Sequence, residues 1–128
     1  MKPILFILTG VVVLLLDSLY FTIVKTYMNN QIKQIQGSSI QINIYSALLC
    51  YLFLSFGISY FIIDQNKSIQ DAFLLGLTIY AVYELTNKAL FVNWDWFTVL
   101  LDSIWGGILF ASTTYIVRFI ETCLKKSG

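Results

Sequence analysis

Four apolar stretches, each about as long as a bilayer is thick, fill most of this 128-residue chain. Residues 4–24 carry a single charge, Asp17, and residues 44–63 carry none; residues 72–92 and 97–120 complete the set. With ~1.5 Å rise per residue, a helix of about 20 residues crosses a ~30 Å hydrocarbon core, and only helices and closed barrels satisfy their backbone polar groups there. The chain therefore reads as an all-α polytopic membrane protein, a four-transmembrane-helix bundle forming a single domain over residues 1–128. Composition argues against a soluble fold, because 58% of the residues are hydrophobic and only 12% charged. A soluble domain of this size leaves about a third of its surface wet, and that surface would here be Leu, Ile and Phe.

The first stretch follows Lys2 much as a signal-peptide core would. Its exit, Leu16-Asp17-Ser18-Leu19-Tyr20, offers no small-x-small cleavage pattern and apolar sequence continues past it, so it is read as an uncleaved span. Residues 25–43 turn to Lys, Asn, Gln and Ser around Gly37 and are expected to be the longest loop, with Ile32, Ile35, Ile40 and Ile42 placed to lie along the headgroups. The short link Asp64-Gln65-Asn66-Lys67-Ser68 implies an antiparallel hairpin between the second and third spans. The third span is the weakest by hydropathy, since Glu84, Thr86, Asn87 and Lys88 occupy its second half; a monotopic or re-entrant segment is the alternative. Trp94 and Trp96 suit an interfacial aromatic belt. Lys2, Lys67, Arg118, Lys125 and Lys126 fall on the side of the termini, against Lys25, Lys33 and Lys88 opposite, which places both termini in the cytoplasm.

Several function classes drop out. A net charge of +1 with no basic run leaves no footprint for nucleic acid. The absence of His removes the commonest general base and zinc ligand. Cys50 and Cys123 stand in no ligand spacing and fall towards opposite faces, so they are read as packing residues and not as a disulfide. No cofactor and no metal are expected, and lipids are the main partners.

What remains is a set of acids inside the spans. Asp17, Glu84 and Asp102 each carry an insertion penalty of about 2.5–3.5 kcal/mol at mid-helix when ionised, and the alternation of helices brings all of them to the half of the membrane away from the termini. Tyr80, Glu84, Asn87, Lys88 and Phe91 share one helical stripe, where Glu84 and Lys88 can pair at i, i+4. Asp17 has Tyr20 on its face and Asp102 has Trp105. The candidate cluster is Asp17, Tyr20, Tyr83, Glu84, Asn87, Lys88, Asp102 and Trp105, with Tyr20, Tyr83 and Trp105 as hydrogen-bond donors. Three uses of it stay open: a polar knot that fixes helix register, a cavity that binds a proton, a small cation or a lipid headgroup, or oxygen ligation of a hard cation, which no spacing demands. Ser103, Gly107 and Ala111 form a small-xxx-small row suited to packing within the chain or to a homo-oligomer.

The same residues carry a resemblance. Tyr83-Glu84-Leu85-Thr86-Asn87, then Trp94, then Asp102-Ser103-Ile104-Trp105-Gly106 are similar to the Tyr-Asp-x-Thr-Asn, Trp and Asp-x-x-Trp-Gly of the DUF2177 family, at the same intervals, and Asp17-Ser18-Leu19-Tyr20 resembles its first-helix Asp-x-x-Trp. The chain departs from the pattern at Glu84, where Asp is usual, at Tyr20, where Trp is usual, and at Lys88, where an apolar residue is common. The resemblance implies a small four-helix membrane protein of bacteria or large DNA viruses and points at these polar positions, without bringing a reaction. The resulting expectation is a non-enzymatic membrane protein whose buried cluster organises the bundle and binds a proton, small cation or lipid headgroup, in a viral membrane as one setting. The alternatives are a small oligomeric ion or proton channel or transporter, and a lipid-modifying enzyme with Glu84 or Asp102 as general base.

Overall fold

The computed structural model describes residues 2–127; Met1 and Gly128, the ends of the expected domain, lie outside the described residues. Four helices account for nearly all of it: α1 (Pro3–Gln36), α2 (Ile44–Ile58, prolonged by a π-helical turn Ser59–Ile63), α3 (Ile69–Leu90) and α4 (Trp96–Ser127). No strand occurs among the described residues. Pro3–Gln36, Ile44–Ile63 and Trp96–Ser127 are each long and apolar enough to cross a membrane.

Local chemistry sets the ends. Pro3 opens α1 where its missing N–H is no loss, and Asn43 and Ser68 cap α2 and α3 by accepting from the amides of Ser46 and Asp71. Gly37 closes α1 in the left-handed region, φ 77°, with its N–H on the Lys33 carbonyl. The π turn forms because the Asp64 amide reaches back five residues to the Ser59 carbonyl at 2.8 Å; it leaves the Ile62 carbonyl to accept from the Lys67 amide and from Arg118 Nη2 of α4.

The segment expected as a loop over 25–43 is largely helix: α1 runs unbroken to Gln36, and only residues 37–43 leave helical geometry. Polarity there reflects α1 outgrowing the bilayer, since 34 residues span ~51 Å at ~1.5 Å each, against a ~30 Å core. Tertiary bonds hold the extension. Gln31, 2% exposed, donates to the Asn93 carbonyl at 2.5 Å and accepts from the Asp95 amide and Thr98 Oγ1, both at 3.0 Å. The Tyr27 hydroxyl lies 2.8 Å from Thr98 Oγ1 and donates to Asp95. Gln36 and Asn29 then bond residues 38–40, folding the short loop back on the helix.

These bonds set the directions. The end of α1 meets the start of α4 through Gln31 and Asp95, while Lys2 at the start of α1 pairs with Glu121 near the end of α4 at 3.7 Å. α4 packs against α1 and, most extensively, against α3; α1 also packs on α2, whereas α2 and α3 hardly touch. Glycines set the α3–α4 seam. A Cβ on Gly76 would fall 2.1 Å from the Gly106 carbonyl oxygen, and one on Gly107 would fall 2.6 Å from the Phe73 ring. Gly107 of the small-residue row thus packs within the chain, with Ser103 buried and Ala111 half-buried beside it. The closest approach uses Gly76 and Gly106, outside that row.

The interior divides along its length. Towards the termini Val13, Ile58, Leu109, Phe110 and Val117 are fully buried, with the hydroxyls of Thr9, Ser59, Thr113 and Thr114 buried among them. Outward, the helices present large apolar side chains such as Ile23, Phe53 and Phe119, a surface far beyond the few hundred Å² that soluble monomers expose. Lipid is the solvent that suits it.

Candidate functional site

Asp17 and Tyr20 stand one turn apart on α1, as do Asp102 and Trp105 on α4. Because α1 and α4 run antiparallel, each acid meets the aromatic of the other helix. Trp105 Nε1 donates to Asp17 Oδ1 at 3.0 Å, and the Tyr20 hydroxyl donates to Asp102 Oδ1. The two rings stack between these bonds, centroids 4.4 Å apart and planes 4° from parallel. Charge-assisted bonds of this kind are worth roughly 1.5–3 kcal/mol each, so the exchange is a clamp between α1 and α4 as well as a site.

Further donors complete it. The Tyr51 hydroxyl of α2 reaches Asp17 Oδ2. Glu84, fully buried on α3, accepts from Trp94 Nε1 at 2.7 Å through Oε2, and its carboxyl lies within hydrogen-bonding reach of that of Asp102. Glu84 Oε1 has no hydrogen-bond donor among the described residues. Beside the clamp lies a cavity of about 160 Å³, walled by Asp17 and Asp102 and by the rings of Tyr20, Phe21, Tyr80 and Trp105, with Val24 and Met28 at its edge.

Of the residues singled out in the sequence, Asp17, Tyr20, Glu84, Asp102 and Trp105 come together here. Tyr83 does not: it is 59% exposed and turns outward. Asn87 is half-buried, and its backbone carbonyl ends α3 by accepting from the Phe91 amide. Lys88 corrects the expected ion pair with Glu84, since its Nζ donates to the Trp94 carbonyl at 2.7 Å and lies 5.4 Å from the centre of the Trp96 ring. An ammonium at the end of α3 gains both a carbonyl and a ring face there while staying near water, which a buried pair would forfeit. Trp94 corrects the aromatic-belt reading: only 3% exposed, it is the Glu84 donor, whereas Trp96 is exposed as an interfacial residue should be. Among the described residues no group of three or more His, Cys, Asp and Glu is placed to hold a metal ion.

The family model described as "Predicted membrane protein (DUF2177)" matches residues 3–119. No curated protein and no solved structure matches the chain.

Proposed function

The chain belongs to the DUF2177 family of predicted membrane proteins, and on that footing we propose that it is a non-enzymatic integral membrane protein whose α1–α4 cavity binds a small cation. The observation that carries this reading is the cavity wall. Two carboxylates from different helices line a space of about 160 Å³ whose other walls are mostly aromatic rings, with Val24 and Met28 beside them. Carboxylates supply the charge, and ring faces favour an organic ammonium over a hydrated metal ion. A positive guest also offsets the cost of holding acids at bilayer depth.

In this reading α3 is the fourth crossing. α2 ends on the side of the termini and α4 begins on the other, so the 22 residues between Ile69 and Leu90, ~33 Å of helix, join opposite faces. The excess of Lys and Arg on the side of the termini supports a cytoplasmic placement for them. A bacterial inner membrane and a viral or host membrane serve equally, since the site needs only a bilayer.

The two rival readings find less support. A channel needs a hydrated route to both faces, and Val13, Ile58, Leu109 and Phe110 fill the interior on the side of the termini. A lipid-modifying enzyme needs a base free to move, whereas Asp17, Glu84 and Asp102 are each held by an aromatic donor. The test is a titration with ethylammonium of protein in phosphatidylcholine vesicles, in a Trp96→Phe background in which the remaining emission comes from Trp105 at the cavity and the buried Trp94 beside Glu84. Saturable change that Asp102→Asn abolishes is the expected result. A response that never saturates, or that survives in Asp102→Asn, removes the cation site.

A further inference from the structure

At the opposite end of the bundle, Arg118 stands at the depth of lipid phosphate. It lies ~33 Å along α4 from Trp96, which is exposed at the other interface, and the hydrocarbon core between the two headgroup layers is ~30 Å thick. The side chain is half-buried and reaches α2, where Nη2 donates to the Ile62 carbonyl at 3.4 Å. That carbonyl already accepts from the Lys67 amide at 2.9 Å, so the guanidinium gains a single long bond from it. Arg118 forms no ion pair with a described residue. Glu121, on the next turn, is engaged by Lys2 at 3.7 Å and by Lys125 at 3.9 Å.

A guanidinium has five N–H donors in a planar fork, and most of this fork is left for something outside the chain. Its surroundings say what. Tyr115, Arg118, Phe119 and Thr122 follow i, i+3, i+4, i+7 along one stripe of α4, and with Ile69 from the first turn of α3 they line an open cleft of about 280 Å³. Tyr115 and Phe119 are 64% and 61% exposed, so the cleft is open to lipid, and Arg118 is the one ionised residue that lines it. Tyr115 lies one turn deeper in the bilayer than Arg118, and Thr122 one turn nearer water. Ring, cation and hydroxyl thus succeed one another in the order of the chain, phosphate and headgroup of a phospholipid.

We infer that this cleft is a binding site for an anionic phospholipid of the leaflet on the side of the termini, with its phosphate on the Arg118 guanidinium and an acyl chain along Tyr115 and Phe119. Two parallel N–H···O bonds from the fork suit a phosphate diester. Charge selects the anionic class, because the choline of a zwitterionic lipid carries a countercharge that Arg118 repels. A soluble anion gains nothing from the rings. The site is separate from the α1–α4 cavity and stands whether or not that cavity binds a cation.

The test is native mass spectrometry of the full chain released from vesicles of equal parts phosphatidylcholine and phosphatidylglycerol with identical chains. One phosphatidylglycerol should stay bound, preferred at least about tenfold over phosphatidylcholine. Arg118→Gln should lower that preference about tenfold, whereas Lys67→Gln, which removes an equal charge from the exposed α2–α3 link on the same side, should change it less than about twofold. Ile69→Trp fills the cleft and leaves Arg118 on Ile62, so it should weaken retention about fivefold and serves even if Arg118→Gln does not fold. Equal losses in Arg118→Gln and Lys67→Gln reduce the effect to diffuse attraction and overturn the site, as does retention indifferent to Ile69→Trp. Displacement of the lipid by excess inorganic phosphate assigns the guanidinium to a free anion, and a lipid-free dimer assigns the cleft to a second copy; either result overturns the proposal.

Discussion

Alanine in place of Gly76 should destabilise the protein by about 2 kcal/mol, whereas the same change at Gly57 should leave it unchanged or make it up to about 1 kcal/mol more stable. Both glycines lie inside helices, so alanine gains about 1 kcal/mol of helix propensity at either position. Their surroundings differ. Nothing lies within 4 Å of a Cβ at Gly57, but a Cβ at Gly76 meets the Gly106 oxygen at 2.1 Å and Phe110 Cγ at 2.7 Å. Carbon–oxygen contacts settle near 3.3 Å, so α3 and α4 must part by about 1 Å. The obstacle is backbone and cannot rotate away, which sets the strain at the upper end of the usual 1–3 kcal/mol, about 3 before the propensity gain is subtracted. Reversible unfolding in mixed micelles of sodium dodecyl sulfate and a mild detergent, followed by tryptophan fluorescence, should show about a 30-fold shift in the folding equilibrium for Gly76→Ala. Should Gly76→Ala prove as stable as Gly57→Ala, the glycine seam does not set the spacing of these helices. The juxtaposition of Glu84 with Asp102 would then lose its structural cause.

Three other outcomes follow from named contacts. Trp94→Phe removes the indole donor to the buried Glu84 and should cost about 1–3 kcal/mol; adding Glu84→Leu should recover part of that loss, and strict additivity in the double-mutant cycle would refute the pairing. Gln31→Ala removes three bonds to residues 93–98, so amide exchange at Asp95 should accelerate by an order of magnitude or more, about 1.4 kcal/mol or above. Unchanged exchange would mean that the extension of α1 does not hold the α3–α4 link. Membrane-impermeant maleimide should label Cys123 from the cytoplasmic side only and leave Cys50, exposed on the lipid face of α2, unlabelled from either side until detergent is added. Labelling of Cys123 from outside would invert the topology.

The helical class and the antiparallel order were legible because twenty-residue apolar runs have few other solutions. Helix ends were less so. Hydropathy reports where lipid stops, and α1 continues past that point because Gln31 and Tyr27 dock on residues 93–98, contacts with no local signature. The third helix reads as doubtful by hydropathy for the opposite reason: Glu84 turns to Trp94 and Lys88 to the α3–α4 link and not to lipid. In the site, i, i+3 spacing singled out Asp17 with Tyr20 and Asp102 with Trp105, but the exchange that bonds Asp17 to Trp105 and Asp102 to Tyr20 depends on how α1 and α4 face one another, which no local spacing carries. Tyr51 escaped notice as one hydroxyl in an uncharged span, though the shared depth of Tyr51 and Asp17 across the first hairpin was a usable signal. Trp94 was masked by Trp96, since two tryptophans at a helix junction suggest one interfacial role for both.

The choice of donors is itself informative. A carboxylate at bilayer depth is most cheaply neutralised by Lys or Arg, and Lys88 stands one turn from Glu84 on the same face, yet bonds elsewhere. Asp17, Glu84 and Asp102 are held instead by neutral hydroxyl and indole groups, which fix their geometry and bring no countercharge. A purely structural knot gains nothing from an ionisable group at position 17, because Asn would accept from Trp105 and donate to the Tyr51 oxygen at a lower desolvation cost. Asp17→Asn should accordingly hold the helices together, with stability within about 1 kcal/mol of the parent, while ammonium binding falls about tenfold or more. Loss of fold and binding in parallel would return the cluster to a structural role.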